Sequence, residues 1–196
     1  MWAATMTRPD IAHAVCTPAK FCENSGVEHK RAVKSLQYLL RTADLRITYD
    51  GQDCGIKMLA YADSDYATCQ DSRRSVSGGA VLLGRGTISW HAMTQEVTAV
   101  RTAEAKYVAL AEMVDEVLFL RQVQAFIMPT LDHYPVMIKE DNQVAEKMAH
   151  NKPSSRRTRH IDMKHHIVRG AVEAGKVDVV YVGTREQHAD VLTKAL

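Results

Sequence analysis

The sequence predicts an α/β fold: a mixed five-stranded sheet with helices on both faces, preceded by a short helical segment over residues 1–50. Three observations predict it. From Gly55 onward the hydrophobic periods alternate in the order β-β-β-α-β-α-α-β-α. One long helical run interrupts the strands, and two of the apolar runs end in carboxylates. The 196 residues, 46% hydrophobic and 24% charged, are ordinary for a globular chain and leave room for one domain plus an appendage.

In the N-terminal segment, Pro9 and Asp10 open a helical run carrying Ile11, Ala14 and Val15, which breaks at Asn24-Ser25-Gly26. A second run places Val33, Leu36, Leu39 and Leu40 at helical spacing, and Asp50-Gly51-Gln52-Asp53 ends it. Two short helices bury little between them, so this segment reads as separate from the domain that spans residues 55–196. In that domain, Ile56 to Tyr61 is a nearly continuous apolar run, as a buried central strand requires, and it leads into Ala62-Asp63-Ser64-Asp65. Ser75 to Leu83 and Thr87 to His91 are β-rich and joined by Gly84-Arg85-Gly86, a hairpin turn. These three strands form an antiparallel meander.

Thr98 to about Ile127 contains no Gly and carries Val100, Ala103, Tyr107, Leu110, Ala111, Val114, Val117 and Leu118 at helical spacing. Pro135 to Ile138 is a fourth strand running into Lys139-Glu140-Asp141, and a short helix follows from Asn142 to Met148. A further helix extends from about Arg159 to Ala174 and stops at Gly175. Val177 to Val182 forms the fifth strand, after which Thr184-Arg-Glu-Gln187 fits a capping box that opens a last helix.

Several classes are excluded by composition. No stretch approaches the roughly 20 consecutive apolar residues of a membrane span, and the N-terminus lacks the order of a signal peptide. Cys16, Cys22, Cys54 and Cys69 show no CxxC spacing, so reduced thiols in an intracellular protein are expected instead of a zinc cage or disulfide framework. The net charge is only +2, but residues 150–170 hold six cations and one acid, Asp162, together with His150, His160, His165 and His166. That segment suits a polyanion: Arg156, Arg157, Arg159 and Lys164 toward phosphates, His160 and His166 toward sugar or phosphate oxygens. Zinc ligation by these histidines is disfavoured, because His160 and His165 are five apart and no second cluster completes a site.

The chemistry is expected at the strand ends. If the first and fourth strands are parallel neighbours, Asp63 and Asp141 converge beyond their carboxyl ends. Glu104 lies about 20° from Ala111 and about 40° from Val100 around the long helix, so it borders an apolar stripe. Asp115 has a similar azimuth but stands about 16 Å further along the axis. Asp190 falls in the first turns of the last helix, where the dipole favours an anion. Converging unpaired carboxylates repel and imply a cation. All-oxygen ligands favour Mg²⁺ or Mn²⁺, and a pair of such ions about 3.5–4 Å apart serves in-line attack on a phosphodiester.

The residues also carry a family resemblance. Tyr61-Ala-Asp-Ser-Asp65, Ser75-Val-Ser-Gly-Gly79, Ile88-Ser-Trp90, Thr102-Ala-Glu-Ala-Lys-Tyr107, Asp141-Asn142, Arg159-His-Ile-Asp162 with His166, and Gln187-His-Ala-Asp-Val-Leu-Thr-Lys194 resemble, in order, the ribonuclease H domain of copia-type retrotransposon polyproteins. Thr7-Arg-Pro-Asp-Ile-Ala-His13 and the following helices resemble the segment that connects it to the reverse transcriptase. The resemblance implies a ribonuclease H-like fold that cuts the RNA strand of RNA–DNA hybrids, with Asp63, Glu104, Asp141 and Asp190 holding two Mg²⁺ or Mn²⁺ ions. It implies the upstream reverse transcriptase as partner and an intracellular site of action, in cytoplasmic virus-like particles or the nucleus. A catalytically inactive nucleic-acid-binding remnant and an integrase- or transposase-type core are the alternatives. The chain departs from the family at Arg101 and Lys106, which flank Glu104 where the family usually has Ser and an acid.

Overall fold

In the computed structural model the described residues are 2–19, 22–23, 26, 34–49, 56–69, 72–130, 134–151 and 162–194. The strands are β1 (Met58–Asp65), β2 (Val76–Leu83), β3 (Gly86–Thr94), β4 (Val136–Glu140) and β5 (Val177–Tyr181). They form one sheet in the order β3-β2-β1-β4-β5. β1, β2 and β3 pair antiparallel, whereas β4 lies parallel to β1 and β5 parallel to β4. The expected mixed five-stranded sheet is therefore present, with its meander on one side and its parallel strands on the other.

The helices of the domain are α4 (Thr102–Ile127), α5 (Gln143–His150) and α6 (Asp162–Glu173), numbered after α1 (Trp2–Met6), α2 (Ala12–Ala19) and α3 (Lys34–Arg41) of the N-terminal segment. α4 crosses the centre of the sheet, and α5 and α6 pack beside it. Ala60, Ala62, Val81, Leu110, Met113, Val114, Val117, Ile138 and Val179 make the main core. Contact is close where β2 carries Gly79, since a Cβ there would lie 2.2 Å from the Met113 methyl. Among the described residues no helix is long and apolar enough to cross a membrane.

The N-terminal segment, expected to stand apart, packs on the sheet. Ala12 of α2 joins Ala80 and Leu192 in a second buried cluster flanked by Leu82, Trp90 and Ala92. The Trp90 indole donates to the carbonyl of Ala4 at 2.7 Å. Arg8 ties the segment together, with bonds to Asp10 at 2.9 and 2.7 Å and to the Thr42 hydroxyl at 2.6 Å. The boundary expected near residues 50–55 lies outside the described residues.

The end of the chain also differs from expectation. In place of a last α-helix there are two 3₁₀ turns, Thr184–Glu186 and His188–Leu192. Gln187 accounts for the break: its side chain is 4% exposed and donates to the carbonyls of Ala62 at 2.9 Å and Lys139 at 3.4 Å. With its side chain held there, the Gln187 backbone is extended (φ −80°, ψ 97°), which ends the first turn and caps the second.

Candidate metal centre

Parallel pairing builds the first half of the site. The register Ala62↔Glu140 sets Asp63, in the last turns of the pleat of β1, beside Asp141, the residue immediately after β4. The expectation that these two acids converge requires this neighbour relation, and the topology supplies it. Asn142 then caps α5, accepting from the backbone N–H groups of Val144 at 2.9 Å and Ala145 at 3.1 Å. That cap turns the chain sharply away and leaves Asp141 at the sheet edge.

The C-terminal turn adds the third acid. Asp63, Asp141 and Asp190 each offer a carboxylate oxygen within 4.8 Å of the others, the one such grouping of three found among the described residues. The turn is held down by Thr193, whose hydroxyl donates to Oδ2 of Asp63, and by Gly78 of β2. A Cβ at Gly78 would meet Thr193 Cγ2 at 2.6 Å and Leu192 Cβ at 2.9 Å, so only a bare backbone lets the turn approach. Lys194 pairs with Oδ2 of Asp190 at 2.8 Å.

The long helix contributes a residue other than the one expected. Glu104 does not enter the cluster: its carboxylate accepts from the backbone N–H of Val100 at 2.7 Å and closes the open first turn of α4. Lys106 takes the central position, with its ammonium bonded to Oδ1 of both Asp63 and Asp141. Two residues apart on a helix are separated by about 200°, so a single point can be reached by one or the other. Glu104, expected as a ligand, is therefore not among the acids that converge, because the azimuth near Ala111 is not the one that Lys106 presents to the aspartates.

The electrostatics follow the pairing. Asp63 is fully buried, which by itself raises its pKa, but the charge and hydrogen bond of Lys106 and the bond from Thr193 bring it below the usual range. Burial opposes the charge on Lys106, yet Asp63, Asp141 and Glu140 outweigh it and hold the ammonium protonated well above the usual lysine range. Glu140 is pushed well above the carboxylate range by complete burial, against the pull of Lys106. Asp190 is raised by burial and by the charge of Asp63, which together exceed the effect of Lys194. The three aspartates alone are compatible with a cation site. With Lys106 in place they do not suit a metal pair, since the ammonium uses the inward oxygens of two ligands and the fourth carboxylate is elsewhere.

Of the expected nucleic-acid contacts, Arg156, Arg157, Arg159 and His160 lie outside the described residues. Lys164 bonds to Glu112 of α4 at 3.1 Å, and His166 is exposed on α6. His165, beside it, is buried and lies tilted against the Tyr107 ring with ring centroids 4.2 Å apart. Gln187, Thr193 and Glu140 were not legible as site residues. Lys106 was marked only by its departure from the family's acid.

Comparison with known proteins agrees with the fold and the resemblance. No protein-family model matches the chain. It is 36% identical over its whole length to the retrovirus-related Pol polyprotein from transposon TNT 1-94 of Nicotiana tabacum, and 32% identical over 97% of its length to that from transposon RE2 of Arabidopsis thaliana. It spans 14% and 13% of those polyproteins. Among solved structures, the N-terminal RNase H domain of rv2228c from Mycobacterium tuberculosis matches 71% of this chain and 91% of its own, with a TM-score of 0.53 at 10% identity. At that identity the likeness is one of fold. A sheet of order β3-β2-β1-β4-β5, aspartates gathered beyond the ends of β1 and β4 and similarity over the whole chain lead to one conclusion: the chain corresponds to a segment of the retrovirus-related Pol polyproteins of plant transposons, and its fold is that of RNase H domains.

Proposed function

We propose that this chain is the RNA–DNA hybrid-engaging unit of a retroelement's reverse transcription machinery, and that in its present sequence it holds hybrids without cutting them. One observation carries the second half: the ammonium of Lys106 lies between Asp63 and Asp141, where catalysis would need divalent ions. The first half is supported by the RNase H fold, the Pol relatives and the cationic segment from Lys152 to Arg169, in which Arg156, Arg157, Arg159, His160, Lys164 and His166 are the proposed contacts. The reverse transcriptase of the same polyprotein is the proposed partner.

The second reading is metal-dependent hydrolysis of the RNA strand with Mg²⁺ or Mn²⁺, favoured by the convergence of Asp63, Asp141 and Asp190. A labelled RNA–DNA hybrid distinguishes the two. In chelator the chain should bind the hybrid, and the slope of log K against log salt should flatten by about 0.7–0.9 for each arginine replaced by Ala in the cationic segment. In Mg²⁺ or Mn²⁺ the RNA strand should stay intact. Metal-dependent cleavage lost in Asp63→Asn would establish the second reading, and absence of hybrid binding would end the first.

A further inference from the structure

Lys106 is the best-buried cation of the described domain, 8% exposed, and its reach is fully used: both bonds of its ammonium go to the carboxylates that the topology gathers. A lysine placed on α4 for packing would not need this. Its helical neighbours at about 20° in azimuth, Met113 and Val117, are fully buried against the sheet, so the stripe on which it lies is the one that faces β1. The geometry puts position 106, not 104, at the aspartates.

We propose that Lys106 is a built-in replacement for the divalent cations: its ammonium neutralises Asp63 and Asp141 from the position where a ligand carboxylate of α4 would stand, and it thereby excludes Mg²⁺ and Mn²⁺. The physical basis is competition for the same oxygens. A hard divalent ion needs carboxylate oxygens at about 2.0–2.2 Å, and Oδ1 of both Asp63 and Asp141 is taken by a cation whose side chain is only 10% exposed. An incoming ion would also meet like charge from Lys106 and from Lys194 on Asp190. Two ammoniums against three aspartates leave little of the negative potential that draws a metal.

This inference rests on the reading of Asp63, Asp141 and Asp190 as the RNase H-type centre, and it is independent of whether hybrids bind. The test is titration of the whole chain with Mn²⁺, following free ion by electron paramagnetic resonance, alongside thermal melting in Mg²⁺ and in chelator. Wild type should bind Mn²⁺ no better than at millimolar concentration, with a melting temperature that Mg²⁺ leaves unchanged. Lys106→Glu should bind at least tenfold tighter and melt higher with Mg²⁺ than with chelator, and Glu104→Gln added to it should leave that gain intact. Lys106→Met, which removes the ammonium without adding an acid, gives a second route to the same gain. Stoichiometric Mn²⁺ binding by wild type that Asp141→Asn abolishes would overturn the proposal whatever the variants do. So would folded Lys106→Glu and Lys106→Met chains that bind no better than wild type, or a gain that Glu104→Gln removes. A wild type that binds neither Mn²⁺ nor hybrid would leave the inference standing and end the hybrid-holding function.

Discussion

Thr193 and Asp63 meet across 130 residues of sequence: the threonine hydroxyl donates to a carboxylate oxygen that has no access to solvent. The bond closes the C-terminal turn over β1 and satisfies the second oxygen of an aspartate whose first oxygen belongs to Lys106. Thr193→Val keeps the shape and removes the donor, leaving a buried charge short of one partner. A loss of about 1.5–3 kcal/mol is expected in urea unfolding. Equal stability would mean that the turn does not rest on this bond.

Gly78 should be as sensitive as any core residue although it has no side chain. Gly78→Ala places a methyl group against Thr193 and Leu192 and, at 3.2 Å, against the backbone carbonyl of Ala189, which cannot rotate aside. The expected cost is about 1–3 kcal/mol, with faster amide exchange confined to residues 188–194. Gly79→Ala should disturb α4 instead, because its nearest neighbour is the Met113 methyl at 2.2 Å. Uniform exchange in both variants would contradict this division between the two sides of the sheet.

Acids that converge without a partner repel, and neutralising one should then stabilise the chain. Lys106 reverses the sign. Asp141→Asn removes a charge-assisted bond from the ammonium and should lower stability by about 1.5–3 kcal/mol at neutral pH. Lys106→Met should cost about 3–5 kcal/mol, since it leaves two neighbouring carboxylates uncompensated. The two effects should be strongly non-additive in a double-mutant cycle. An Asp141→Asn chain that melts above wild type would show that the carboxylates stand unpaired.

Acid should act on the N-terminal segment through Asp10. Burial raises its pKa, but hydrogen bonds from Arg8 and Tyr38 and the charge of Arg8 prevail and hold it below its ordinary value near 3.8. A carboxyl with a depressed folded pKa contributes stability that is present above the unfolded pKa and is lost as pH falls through the folded one. Wild type should therefore exceed Asp10→Asn in stability by a constant margin above about pH 5, and the margin should close below about pH 4. Melting curves of the two chains between about pH 2.5 and about pH 7 give the test directly. A margin indifferent to acid would remove Asp10 from the tie between Arg8 and α3.

The succession of strands and helices as far as β5 was legible in the sequence alone, because it rests on local periodicity, whereas the convergence of Asp63 with Asp141 needed β1 and β4 to be parallel neighbours, a relation that the tertiary structure supplied. Parallel neighbours with acids at the same ends bring those acids together whatever the side chains around them. The ligand from α4 was not decided that way. Residues 105–111 are buried without interruption, with Lys106 directed to the sheet edge and Tyr107 to His165 of α6, so an apolar stripe does not tell which side of this helix meets β1. A stretch of helix enclosed all round loses the amphipathic signal on which azimuth is read. The last segment was misread for a related reason: Thr184 to Gln187 has the composition of a capping box, but Gln187 finds partners in Ala62 and Lys139, distant in sequence. Local propensity there is worth about 1 kcal/mol, and a buried hydrogen bond to Ala62 of β1, with a longer, part-buried one to Lys139 of β4, offsets it. Tertiary contact thus decided which residue of α4 faces the three aspartates, and it selected an ammonium.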